Sequence, residues 1–195
     1  MTIHPNIILS FWFGNDGHAP KSDLAYIQSR IPFWFGRNEE FEQKQKDLKD
    51  VIDQVREWES NPADEETMRA WNNPRGYLAR IILFDQFPRS VYRASSKAFE
   101  YDPIAVKYSL KIVDENLWDQ FAATERLFAI VSIQHSENIE LQRKGVQLAS
   151  IVAAGESEDV VSFFKNLKGF PMEHHDVIEI FGRFPGRNDV LVSYH

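Results

Sequence analysis

The sequence predicts an all-α protein of antiparallel helix pairs forming a single compact domain over residues 1–195, and three observations carry that expectation. Apolar residues recur with a helical period along nearly the whole chain. No segment alternates apolar and polar residues between hairpin turns. Proline and glycine fall between the periodic segments, and the short connections this leaves make consecutive helices neighbours in space.

Taken in order, Pro5 suits a first helical turn, and the helix it opens runs to Phe13 with Gly14 as its stop. A second helix spans about 22–29 and closes at Ile31-Pro32. Asn38 is a candidate N-cap, with Glu39 and Glu40 suited to the first turn. Behind it Phe41, Leu48, Val51, Ile52, Val55 and Trp58 mark one apolar face as far as Asn61-Pro62. Pro74 opens an apolar run, Tyr77 to Phe84, that reads as buried on most sides and ends at Pro88. Asp102-Pro103 has the form of a cap and first position, starting a helix through Val106, Leu110 and Val113. Further helices cover about 121–133, then from a Ser136 cap to Gly155, then from a Ser157 cap to Leu167, and finally from Pro171 to about Phe184.

Composition narrows the function classes. Phe, Trp and Tyr number 15, 5 and 6, so interlocked rings are expected in the core. The formal charge of −7 argues against nucleic acid as a partner, since a broad basic footprint is missing. The absence of cysteine removes disulfides, thiolate metal sites and a thiol nucleophile. The N-terminal residues lack the basic start and cleavage site of a secretory signal, and no apolar run nears the roughly 20 residues of a membrane span. A cytoplasmic, soluble protein without membrane contact is the expectation. The oligomeric state is not legible.

Two Phe-Trp-Phe-Gly segments, 11–14 and 33–36, lie 22 residues apart, too close for a standard helical-hairpin repeat. They read as ring plugs at helix ends with glycine as a left-handed cap, or as the aromatic wall of a groove.

Three polar strings stand in apolar surroundings. Asp85 ends an apolar run, so its carboxylate needs a partner; Arg89 is the local candidate, with Arg80 and Arg183 as longer-range ones. In His135-Ser136-Glu137 the serine caps a helix, and His135 and Glu137 either pack or face a cleft as acid–base groups. The third contains His174 and His175, then Phe181 to Asn188, where Arg183 and Arg187 flank a Pro-Gly corner fitted to a carboxylate or phosphate. His175 and Glu179 share a helix face, but the two-His zincin pattern is missing, so no metal and no cofactor are assigned. No Gly-x-Ser-x-Gly elbow or phosphate loop is present.

Together these strings carry a resemblance. The opening Phe-Trp-Phe-Gly, residues 78–89, Ala98-Phe99-Glu100-Tyr101-Asp102, His135-Ser136-Glu137 and residues 181–188 occur in the order seen in the bacterial domain-of-unknown-function 924 family, which the whole chain resembles. The resemblance implies helix pairs in a tetratricopeptide-like right-handed superhelix, and it implies no reaction. Where the family usually has His within Phe-Pro-His-Arg-Asn, this chain has Gly186, and the Leu-Gly-Arg that usually follows is replaced by Leu191-Val192-Ser193. A His seven residues before Phe181 is retained as His174.

The function expected from sequence is ligand or partner binding at a pocket of Asp85, Arg89, His135, Glu137, His174, Arg183, Arg187 and Asn188, taking a small anionic ligand or a peptide. The alternative is a hydrolase or phosphoryl-transfer enzyme working on a small anion at the same pocket.

Overall fold

The structure, a computed structural model, describes residues 3–14, 16–36, 39, 43–167 and 169–191. It is all-α, and no strand occurs among the described residues. No helix among them is long and apolar enough to cross a membrane.

Helix α1 (Pro5–Phe13) begins on Pro5 and ends at Gly14, whose φ of +72° suits glycine but whose ψ of −170° is not that of the left-handed cap expected there. Helix α2 (Leu24–Phe35) is capped by Asp23 and runs six residues past its expected end, carrying Pro32 inside it. Gly36 at its end is extended, with φ −91°, so neither Phe-Trp-Phe-Gly ends in the left-handed cap and only the first has a positive φ. The two segments are linked as donors and acceptors. The last carbonyls of a helix lack intrahelical partners, and α2 supplies donors for those of α1. Tyr26 donates its hydroxyl to the Phe13 carbonyl at 2.7 Å, Trp34 its indole N–H to that of Trp12 at 3.0 Å, and Arg30 its guanidinium to Phe11 and Trp12. Rings from both segments then pack edge-on around Phe128.

Helix α3 (Gln45–Glu57) buries Leu48, Ile52 and Val55 as the periodicity predicts, while the expected cap at Asn38, with Glu40 and Phe41, lies outside the described residues. Helix α4 (Glu65–Trp71), not expected from sequence, is capped by the Asp64 carboxylate. Helix α5 (Pro74–Ile81) is buried almost throughout and leads directly into a π-helical turn (Ile82–Gln86) and helix α6 (Phe87–Val91). Pro88 therefore does not end the segment. Proline has no N–H to send four residues back and crowds the carbonyl there; the chain continues through it by widening the preceding turn, with the Phe87 N–H reaching the Ile82 carbonyl. Asp85 lies in that widened turn.

Helices α7 (Lys97–Glu100) and α8 (Asp102–Asp114) follow without a side-chain cap; Asp102, the expected cap, is the first residue of α8 instead, and its carboxylate is held by Arg89. Helix α9 (Ala123–Gln134) is buried on most sides and stops at His135. Helix α10 (Ile139–Ala149) is capped by Asn138 rather than Ser136: the Asn138 side-chain oxygen accepts from the Glu140 and Leu141 N–H groups at 2.8 and 3.2 Å. Helix α11 (Glu158–Asn166) starts after Ser157 as expected, although that hydroxyl donates to Asp159 instead of capping. Helix α12 (Gly169–Phe181) begins before Pro171 and ends three residues early, leaving Phe184 to a short 3₁₀ corner (Pro185–Arg187) and helix α13 (Asn188–Leu191).

Helix α5 packs on α1 and α8, and α9 packs on α8 and α10, with α12 against α10. One apolar core gathers the rings of α1 and α4 with the α3 face, α5 and the π-turn. A second joins α9, α10 and α11 through Ile130, Ile133, Leu148, Val160 and Phe164. The ends of the π-turn, α8 and α9 come together where the 3₁₀ corner folds back.

Candidate functional site

At that meeting point a chain of ion pairs is buried. Asp85 has no exposed surface, and its Oδ1 lies 2.6 Å from His135 Nδ1 and 3.1 Å from Arg89 Nη1. The Gln86 amide donates to its other oxygen. Arg89 grips Asp102 with two parallel bonds, Nη1 to Oδ1 at 2.8 Å and Nη2 to Oδ2 at 3.0 Å, and also donates to the Asp85 carbonyl. Arg187 closes the cluster from the 3₁₀ corner: its Nη2 donates to the His135 carbonyl at 3.0 Å and lies 3.3 Å from Asp102 Oδ2. The Arg187 guanidinium sits over the rings of Phe99 and Phe184, 4.5 and 4.6 Å from their centroids. Glu137 is partly exposed at the rim and accepts from the Phe184 N–H at 2.9 Å.

Charge and burial set the protonation states. Burial alone would raise Asp85, but Arg89 and His135 outweigh it and hold the carboxyl below the usual range. Burial also acts first on His135, driving it toward the neutral form; Asp85 pulls the other way and Arg89 opposes Asp85, leaving the imidazole below its ordinary value. Because an ionised Asp85 can only accept, the His135 proton is on Nδ1 and the Nε2 lone pair is left outward of the pair. Burial raises Asp102 despite Arg89, and lowers Arg187 despite Asp102.

His174 extends the rim from α12. Its Nδ1 donates to the Phe170 carbonyl at 2.9 Å, and its ring lies 6.0 Å from that of His135 and 5.6 Å from that of Phe184. Of the residues expected from sequence, the structure thus brings together Asp85, Arg89, His135, Glu137, His174 and Arg187. Asn188 is half-buried at the start of α13, its N–H bonded to the Pro185 carbonyl. Arg183 is half-buried before the corner. Arg80, an expected partner of Asp85, pairs with Glu59 at 3.0 Å instead.

The Pro-Gly corner does not project its arginines as an open fork, as the sequence suggested: Arg187 folds inward onto Asp102. Asp102 and Phe99 were missed because Asp-Pro has the form of a helix start, which absorbed the aspartate into a capping role. His175, Asp176 and Glu179 place donor atoms within 4.8 Å of one another, a grouping with two exposed members of a kind common on helices without any ion.

The sequence model of a bacterial protein family of unknown function, DUF924, matches residues 8–193. The chain belongs to that family. Among solved structures it resembles a protein of unknown function from Agrobacterium tumefaciens, with 20% identity over 97% of this chain and 90% of that one and a TM-score of 0.72. At that identity the likeness speaks for the all-α fold. Nothing among curated proteins matches the chain. Four of the strings that carry the family resemblance are therefore the ones that meet in space, at Asp85–Arg89, Phe99–Asp102, His135–Glu137 and Phe184–Arg187.

Proposed function

We propose that this DUF924 protein binds a small ligand at the rim formed by His135, His174, Glu137 and Arg187, with Asp85, Arg89 and Asp102 as the buried frame that holds it. The observation that carries the reading is the convergence of four separated strings on one cluster of ionisable groups at the surface end of the core. Ionisable groups are costly to bury and need full pairing to persist, and perturbed groups gathered beside a surface are candidates for a functional site.

The pairing pattern refines the ligand. Both Arg89 and Arg187 already lie against carboxylates, so the cluster offers hydrogen bonds in fixed directions rather than surplus positive charge. This favours a ligand that donates hydrogen bonds, through a hydroxyl or an amide N–H, over a highly charged phosphate. A peptide partner would call for an extended inner face of the tetratricopeptide-like kind, whereas the support here gathers at helix ends.

A second reading is favoured by one distance. The 2.6 Å bond from His135 Nδ1 to Asp85 fixes the tautomer in which Nε2 is a base, and a neutral imidazole so held can take a proton from water or a hydroxyl. That is the requirement of a hydrolase. A thermal-shift screen of esters, amides, carboxylates and phosphorylated metabolites separates these readings. Binding to the folded state raises the melting temperature, and the rise should vanish in His135→Gln and Glu137→Gln. Shifts that persist in both variants would remove the assigned rim. Product release from an ester or amide hit, absent in His135→Gln, would select the hydrolase.

A further inference from the structure

A cavity of about 560 Å³ opens beside the rim, within the size range of small-molecule sites. Phe35, Leu127, Val131, Ala149, Phe164 and Phe170 are among its walls. Ser150 is the polar member among the described lining residues, and its hydroxyl is already given to the Gln147 carbonyl at 2.6 Å. The cavity therefore presents hydrocarbon, and at its mouth Phe35, Leu167, Phe170 and Met172 are large apolar side chains left 54%, 40%, 38% and 45% exposed. Exposed apolar groups clustered around an apolar hollow call for an apolar occupant.

The hollow and the polar rim touch at two points. Val131 in its wall is one helical turn before His135, whose N–H donates to the Val131 carbonyl at 3.0 Å. Phe170, in the opposite wall, lies with its ring 4.4 Å from that of His174, which stands 6.0 Å from His135. Hydrocarbon thus gives way to two imidazoles within one side-chain length. A protein partner would need a flat or grooved contact of roughly 800 Å² on each side; a hollow that ends against a hydrogen-bonding group fits a smaller molecule with two unlike ends.

We propose that the cavity takes the alkyl chain of a small amphipathic molecule whose uncharged polar end, a secondary amide N–H or a hydroxyl, donates to the bare Nε2 of His135 beside His174. This rests on the reading of the His135–His174 rim as a ligand site and adds the class of ligand. The uncharged end follows from the carboxylates that already engage Arg89 and Arg187, and from an imidazole that burial keeps from protonation.

Calorimetric titration of the full chain with N-methylhexanamide, N-methyloctanamide and N-methyldecanamide tests it, alongside octanoate and octylamine. Affinity should rise about fourfold per methylene while the chain is being buried, and the octanamide should bind at least about tenfold more tightly than octanoate or octylamine. Ala149→Phe and Val146→Phe, two independent fillings of the cavity checked for helicity by circular dichroism, should flatten the chain-length gradient. His135→Gln should keep the gradient and lose the preference for the amide. Affinity independent of chain length, or a gradient that survives in whichever filling variant folds, overturns the proposal; so does failure of every probe to bind. Length-independent binding that His135→Gln abolishes would overturn the cavity and leave the rim standing. A gradient erased by the filling variants but indifferent to His135→Gln would overturn the rim reading, and with it the placement of the polar end.

Discussion

Replacing Asp85 by asparagine removes one charge and no volume from the centre of the cluster. The carboxylate has no exposed surface and holds His135 at 2.6 Å and Arg89 at 3.1 Å. Deleting one partner of a buried pair costs about 3–5 kcal/mol, because the other charge is left desolvated. Arg89 keeps its two bonds to Asp102, which places the loss at the lower end, about 3 kcal/mol. For a chain of this size that corresponds to a fall of roughly 6–12 °C in melting temperature. Urea denaturation followed by circular dichroism measures the loss directly, and an unchanged slope would show that the compactness of the end states is kept. Asp119→Asn supplies the contrast: that side chain is 98% exposed and lies 3.6 Å from Arg126, a surface pair worth about 0–1 kcal/mol. A loss below about 1 kcal/mol for Asp85→Asn, no larger than for Asp119→Asn, would refute the claim that the cluster is held by this buried carboxylate.

Three further outcomes follow from the same geometry. Because burial sets His135 below its unfolded value, the folded state takes up a proton there less readily than the unfolded chain; stability is then present above about pH 6.5 and declines as pH falls toward the lowered folded value, an arm that His135→Gln should flatten in denaturation curves between pH 7.5 and 5. Gly76 lies so close to the preceding turn that a Cβ would stand 2.1 Å from the Trp71 carbonyl oxygen, so Gly76→Ala should cost at least about 1–3 kcal/mol in urea melts. Gly186→His, which introduces the residue the family resemblance implies there, meets open space and should change stability by less than about 0.5 kcal/mol; a larger loss would show that the corner is packed.

The helical class and most helix starts were legible because each is a local property. Pro5, Pro74 and the Leu48–Ile52–Val55 face depend on residues one or two turns away. Several ends were displaced where longer-range contacts prevailed. Helix α2 continues through Pro32, placing Trp34 against the helix-end carbonyl of Trp12. The Pro88 segment continues because a π-turn widens ahead of it, and a single sequence has no periodic mark for such a turn. Ser136 lost the capping role to Asn138, since either side chain meets the local rule. At the site, individual residues could be picked out as polar groups in apolar surroundings, but their partners only in part. Arg89, the local candidate for Asp85, does lie against it but also grips Asp102, while Arg80, a longer-range candidate, was taken by Glu59. The inward turn of Arg187, which decides how much positive charge the rim offers, depends on Asp102 lying 85 residues earlier in the chain.

The central claim is that His135 and His174 form one ligand-facing rim above a buried carboxylate. Long-range proton–nitrogen correlation spectra of the histidine rings, recorded while a small library of amides and esters is titrated in, test it most directly. The account predicts that His135 is protonated on Nδ1 with a bare Nε2 at neutral pH, and that binders move the His135 and His174 ring signals together. Binders that leave both rings unmoved, or a His135 ring carrying its proton on Nε2, would contradict it.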